Sequence, residues 1–373
     1  MTRDWIPASG WTGDWKLPAL LRQPVTPSER AVLVSLAIAG FGPKRLVDAL
    51  DRVDAIDELS GEDRAHTRAQ VAELKRLGAR AIVPSDDEYP DELAEIPAAP
   101  PLLFVRGERL DTLRPLIAIV GARACTGGAA RFAERLGEAF ATAGFGVVSG
   151  MARGIDAAAH RGALEAGKSV AVFGTGIDVS YPIEHGELAE EIAENGALVS
   201  EFAPGIGPRR WHFPSRNRII SGLSCALIVV EAGMNSGALI TVGFALDHGR
   251  QVLACTTGPE NPAGAGVRAM LADGAELIVD ADQAVDVVCS TLGLQDYAFG
   301  RPRRAEVEPG SSLTGDARRV FDAVLEPSTT DDVDRNCGLG AARVAAILAE
   351  LELDGYVVMD RGRWSRRRRR NDT

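Results

Sequence analysis

The sequence is poor in the residues that build metal centres and covalent scaffolds. Five cysteines and five histidines are spread over 373 residues, with no C-x-x-C and no H-E-x-x-H. This spacing excludes a recognisable zinc framework. The cysteines, at 125, 225, 255, 289 and 337, argue against a disulfide scaffold and for a reducing, cytoplasmic compartment. No apolar run approaches the roughly 20 residues that cross a bilayer. The opening MTRDWIPASGWTGDWKLP has no continuous apolar core, so neither a membrane span nor a secretory signal is expected. The nucleotide and nucleophile motifs are missing or out of context. G-x-x-x-x-G-K-[ST] occurs once, as GALEAGKS at 162–169, but it runs into the strand pattern SVAVFGTG where a P-loop would follow a strand and open a helix; there is no G-x-S-x-G, and GARACTGG is not a dinucleotide fingerprint. No catalytic residue, cofactor or metal is expected.

One absence is local. The chain is acidic, with 52 Asp and Glu against 41 Lys and Arg and a formal net charge of −11. Yet no acid occurs from Phe202 through Val230, while Arg209, Arg210, Arg216 and Arg218 all fall there beside Trp211 and Phe213. Charged partners respond to the field within about 10 Å, so the local balance matters more than the total.

The hydrophobic pattern divides the chain. Residues 1–25 are rich in Trp, Pro and Gly and carry no period, which predicts an irregular extension. Residues 26–84 place apolar groups at helical spacing, with GFGP as the tight turn of a helix-hairpin-helix-like unit. From 85 to 295, after the candidate strands ARAIVP and PLLFVRG, a regular alternation follows: LIAIVGAR, GVVSG, SVAVFGTG, ALVSEF, CALIVVEAG, QVLACTTG and ELIVD, separated by helical segments. This predicts a doubly wound parallel sheet of the α/β class. Runs such as IAIV and ALIVV are apolar throughout, as strands covered on both faces should be. Residues 296–312 read as a linker. Residues 313–365, three helical segments and a tight hairpin, predict a winged helix, and 366–373 a basic tail.

Ligands of such sheets bind beyond the C-terminal strand ends. The residues there are glycines with donors beside them: Gly121 and Arg123, Ser149 and Gly150, and the turn Asn235-Ser236-Gly237 that opens a helix. Glycine allows close approach to the backbone, and helix N-termini offer unpaired N–H groups to phosphate. The segment HFPSRNRIISGLS joins this rim. Its arginines can fork onto phosphate oxygens, and Trp211 and Phe213 can stack on bases. Asp156 and His160 share a helix face, and Asp156 is expected in the first helical turn, complementing the dipole.

These residues carry a resemblance. The segments DDEYPDELAEIPAAPPLLFVRG, VVSGMARGIDAAAHRGAL, VFGTGIDVSYP, LVSEFAPG, FPSRNRIISGLS and VVEAGMNSGALIT resemble the DNA-processing protein A family, also called DprA or Smf, from about residue 85 to 282. The resemblance implies an extended Rossmann-like domain, flanked by a SAM-like helical domain and a winged helix. It implies a homodimer that binds single-stranded DNA, protects it during natural transformation and loads the recombinase RecA, without covalent chemistry. Carried over by motif, the DNA-binding residues would be Gly121, Arg123, Ser149, Gly150, Arg153, Trp211, Phe213, Arg216, Asn217, Arg218, Ser236 and Gly237. Asp156 belongs to the same motif as Arg153. Two departures stand out: Ala122 replaces the serine of the family's VGSR, and the loop ACTTGPENPAGAGVR differs from the family pattern.

Two other classes compete. A nucleotide phosphoribohydrolase-like enzyme would need P-G-G-x-G-T-x-x-E, which EAGMNSGALIT does not supply. A transcriptional regulator would read DNA with GLGAARVAAILAELELDG, which carries one arginine against three acids, Glu350, Glu352 and Asp354, and is poorly suited to a groove.

Overall fold

The computed structural model describes residues 61–255, 262–294, 313, 315–324, 328–353, 356–360 and 363–366, together with Val34 and Ala37. The expected extension, most of the helical unit, the linker and most of the basic tail lie outside the described residues, as do 256–261 of the divergent loop. The chain forms two compact units, divided at Arg301 and Pro302.

In the first unit, helix α1 (Gly61–Arg76) leads to β1 (Ala79–Ile82), the short helix α2 (Asp91–Ala94) and β2 (Leu103–Gly107). The alternation then runs β3 (Leu116–Val120), α3 (Gly127–Thr142), β4 (Gly146–Ser149), α4 (Ile155–Leu164), β5 (Ser169–Gly176), α5 (Gly186–Asn195) and β6 (Gly196–Phe202). It continues with α6 (His212–Leu223), β7 (Ala226–Val229), α7 (Ala238–Asp247), β8 (Gln251–Cys255), α8 (Ala265–Ala272), β9 (Glu276–Ile278) and α9 (Ala281–Thr291).

Among the described residues these strands form one nine-stranded sheet, ordered β1-β2-β6-β5-β4-β3-β7-β8-β9. From β6 to β9 every pairing is parallel, while β1 and β2 add an antiparallel edge. Thus β1 belongs to the sheet, which begins before residue 85: ARAIVP is a strand of this domain, not the end of a helical one.

The parallel strands are apolar throughout because both faces are covered. Along β3, Ile117 and Ile119 point into a core with Ala133, Leu136 and Phe140 of α3 and Ala158 and Ala159 of α4. Leu116, Ala118 and Val120 point into the opposite core, with Ile219 and Ile220 of α6 and Leu239 and Val242 of α7. The side-chain period of two therefore feeds two cores from one strand.

The chain winds outward from β3 through β4, β5 and β6, then crosses back past β3 to β7, β8 and β9. The order reverses between β3 and β7, and all their C-terminal ends open on the same edge. No described helix is long and apolar enough to cross a membrane.

The second unit contains α10 (Gly315–Ala323), α11 (Thr330–Cys337), α12 (Ala341–Leu353) and the antiparallel pair β10 (Val357–Asp360) and β11 (Arg363–Arg366). Thr329 caps α11 in a reciprocal box with Asp332, and Gly338 ends that helix in a left-handed conformation. Phe321, Val333, Val344, Leu348 and Trp364 close a small core. This is the expected winged helix.

Candidate nucleic-acid interface

The site is built where β3, β4 and β5 end and α6 begins. At the reversal point the loop after β3 is fastened to the loop after β7: Ala122 N donates to the Glu231 carbonyl at 2.6 Å. The buried Glu231 carboxylate accepts from Thr126 N at 3.1 Å and Thr126 Oγ1 at 2.9 Å. Gly121 is required by packing: a Cβ there would lie 2.6 Å from Ile155 Cγ1 and 2.9 Å from the Glu231 carbonyl oxygen.

The loop after β4 is held from beneath. Asp156 is buried, and its Oδ2 accepts from Gly150 N at 3.1 Å and Ala152 N at 3.3 Å. Burial raises its pKa, opposed by the Arg216 guanidinium. Arg216 Nη1 donates to the Gly150 carbonyl at 2.6 Å and also to the Val172 carbonyl. Among the described residues its Nε has no partner, and burial pulls its pKa down to about 10 against the attraction of Asp156. His185 Nδ1 bonds the Met151 carbonyl at 3.0 Å, and Met151 is held at φ +61, an uncommon conformation for a non-glycine residue. Gly154 follows at φ +77, and a Cβ there would lie 2.3 Å from the Ala122 carbonyl oxygen.

Four of the expected DNA contacts are therefore corrected. Arg218 is 0% exposed, paired with Glu201 and donating to the carbonyls of Ala98 at 2.8 Å and Ser215 at 2.9 Å. On α6 it points inward, so its guanidinium closes the core and does not face a phosphate. Arg216 is 4% exposed, with Nη1 committed to two carbonyls, and offers no fork to solvent. Ser149 is fully buried and its hydroxyl donates to the Ile119 carbonyl at 2.6 Å. Gly150 has its N–H on Asp156 and its carbonyl on Arg216. Asp156 does lie in the first turn of α4, but its carboxylate caps the preceding loop.

Other expected residues meet at the surface. Arg123 is exposed, with its guanidinium carbon 5.6 Å from the centroid of the Phe213 ring. Phe213 is seated against Gly174, where a Cβ would lie 2.9 Å from the ring. The other side of the cluster is Tyr181, whose ring centroid is 5.4 Å from that of Phe213. Trp211 is exposed at the start of α6, edge-on to Phe202 at 6.3 Å, with exposed Arg209 and Arg210 just before it. Asn217 Nδ2 donates to the Gly237 carbonyl at 3.3 Å, tying α6 to the turn that opens α7. In that turn Ser236 Oγ accepts from Ala238 N at 3.3 Å, and Gly237 is exposed. Arg153 is exposed and ion-paired with Glu184, which is also exposed.

Tyr181 and Ile183 were not singled out in the sequence. Tyr181 falls in the segment VFGTGIDVSYP quoted above, but nothing in the local composition shows that its side chain and that of Ile183 face solvent.

Together the sheet order and this cationic, aromatic edge define an α/β domain of the Rossmann type in a chain that also carries a winged helix. The family model for DNA recombination-mediator protein A matches residues 80–288, and the model for the DprA winged-helix domain matches 304–363. Protein Smf of Synechocystis is 34% identical over 327 residues, covering 79% of this chain and 82% of that one. The structure of DprA from Streptococcus pneumoniae superposes with a TM-score of 0.60 at 32% identity, covering 71% of this chain and 98% of that chain. The structure of the Helicobacter pylori protein, described for its single-stranded DNA binding mode, gives a TM-score of 0.51 at 24% identity over 57% of this chain and 96% of that one. The chain belongs to the DNA recombination-mediator protein A family.

Proposed function

We propose that this chain binds single-stranded DNA along the C-terminal edge of its parallel strands and delivers it to a RecA-type recombinase. The observation that carries the reading is exposed Arg123 lying over the Phe213 ring, next to a 29-residue interval without an acid. Cation and ring together fit a strand whose phosphates and bases are both accessible, as they are only when unpaired. Trp211, Asn217, Ser236, Gly237, the Gly121 loop and Arg153, once released from Glu184, extend the contact. The Helicobacter pylori relative's described single-stranded DNA binding supports the ligand class. Homodimer formation, a cytoplasmic location and action without covalent chemistry belong to the same reading and rest on family membership. The expected domain division also stands as part of this proposal, with its 84/85 boundary moved to precede β1.

The test is fluorescence anisotropy on the full chain with single-stranded DNA, duplex DNA and nucleoside monophosphates at two salt concentrations. The reading expects single strands to bind best, with log affinity falling by about 0.7 per log salt for each phosphate engaged. Equal affinity for duplex, or release of free base from a nucleotide, counts against it.

A further inference from the structure

Large apolar side chains exposed on a sheet protein are informative when they collect in one place. In the first unit, six are exposed among the described residues. Leu277 and Val279 lie on or beside the edge strand β9. The other four follow parallel strands at their C-terminal ends: Tyr181 and Ile183 after β5, Trp211 after β6 and Met234 after β7. They share that edge with Arg123, Arg209 and Arg210. Water contact with such side chains has a cost that the fold does not relieve, although burying them inward is the ordinary solution.

From this we infer that Tyr181 is a nucleobase-stacking residue, the outer member of a station in which Phe213 is the inner one. This rests on the proposed function and specifies how that site recognises its strand. Phe213 is wedged between Gly174 and the Arg123 guanidinium, so its place is fixed by packing. Tyr181 leans on it with the ring planes 39° apart and remains 44% exposed. An aromatic with one side supported and much of its surface in water is a preorganised platform: it has already lost rotamer freedom before the base arrives. Ile183, 87% exposed two residues on, widens the apolar ledge. The adjacent guanidinium supplies the phosphate contact, and a base with its phosphate is the ligand that matches both. Duplex DNA does not, because its bases are stacked on one another.

The test compares the full chain with Tyr181→Ala and Tyr181→Phe, after circular dichroism has shown all three folded. The probes are a labelled oligothymidylate and an abasic deoxyribose-phosphate strand of the same length, in low salt. Tyr181→Ala should bind oligothymidylate about tenfold more weakly, the low end of the cost of one lost stacking contact. It should bind the abasic strand like wild type, and Tyr181→Phe should restore the difference. Unchanged oligothymidylate affinity in Tyr181→Ala overturns the inference while leaving the proposed function intact. An equal loss on both strands overturns it as well, since the residue would then act through phosphate contacts. If wild type binds neither strand, the proposed function itself fails, and this inference with it.

Discussion

Arg216 Nη1 reaches the Gly150 carbonyl at 2.6 Å, and a Cβ added at residue 150 would fall 2.6 Å from Nη2 of the same guanidinium. The arginine and the glycine are two halves of one arrangement: the loop after β4 lies directly on a buried cation. Arg216→Ala would strand the buried Gly150 and Val172 carbonyls without their donor and remove a positive charge that favours the buried Asp156 carboxylate. A buried polar group left unsatisfied costs about 1–3 kcal/mol, and urea unfolding should show a loss of at least that size. Arg216→Lys should recover only part of it, because an ammonium keeps the charge but lacks the rigid planar guanidinium that holds Nη1 between the Gly150 and Val172 carbonyls and lies against Gly150.

Arg218 makes a parallel prediction with a different partner. It is fully buried against Glu201, so Arg218→Met should destabilise by about 3–5 kcal/mol. Replacing both members by apolar residues, as in Arg218→Met with Glu201→Leu, should cost less than the single change. The salt slope of DNA binding by the folded fraction should not move, because no phosphate contact is lost.

Arg123 should behave in the opposite way. It is exposed, so Arg123→Ala should leave stability within about 0.5 kcal/mol of wild type. The same change should weaken single-strand binding and reduce the salt slope by about 0.7, the share of one phosphate. Chemical unfolding and a salt titration of the same two proteins separate these effects.

The buried histidine under this loop sets an acid limit. His160 Nδ1 lies 2.7 Å from Ser169 Oγ, which itself donates to the Val147 carbonyl at 3.1 Å; the Nδ1–H is therefore the donor, and Nε2 has no partner among the described residues. Burial, reinforced by the charge of Arg216, pulls its pKa down to about 3. The unfolded chain takes up this proton near pH 6.5 and the folded chain does not, so stability rises with pH between about 3 and 6.5 and is lost as pH falls. This group alone gives a slope approaching about 1.4 kcal/mol per pH unit. His248, pulled down to about 4 by burial and then Arg250, adds to it over the upper part of the window. The raised carboxyl of Asp156 acts in the opposite sense at the acid end. His160→Asn should flatten the stability profile below pH 6.5 when unfolding is followed at several pH values.

The sheet was legible in the sequence because period-two strands covered on both faces leave unbroken apolar runs, and because glycines mark where each ends. Trp211 and Phe213 stood out because an acid-free interval in an acidic chain is a strong local signal, and Arg123 because it follows a glycine at the end of an apolar strand run. What could not be read was which arginine of FPSRNRIISG turns inward. Arg216 and Arg218 lie two apart on α6, about 200° around the helix, and both are buried. A motif rich in guanidinium looks the same whether its charges meet phosphate or carbonyl oxygens. The strand character of ARAIVP was visible, but its membership in the sheet depends on pairing with β2, a contact that local pattern does not encode. Tyr181 was missed for a similar reason: its exposure follows from how the 177–185 turn sits on Phe213.

Amide hydrogen exchange on the full chain, with and without a single-stranded oligonucleotide, tests most directly where the strand lies. Residues 121–126, 177–183, 209–217 and 233–237 should gain protection together, while the β9 edge at 276–280 should not change. Protection confined to β9 or to the winged helix, with these four segments unaltered, would contradict the placement of the strand on this edge.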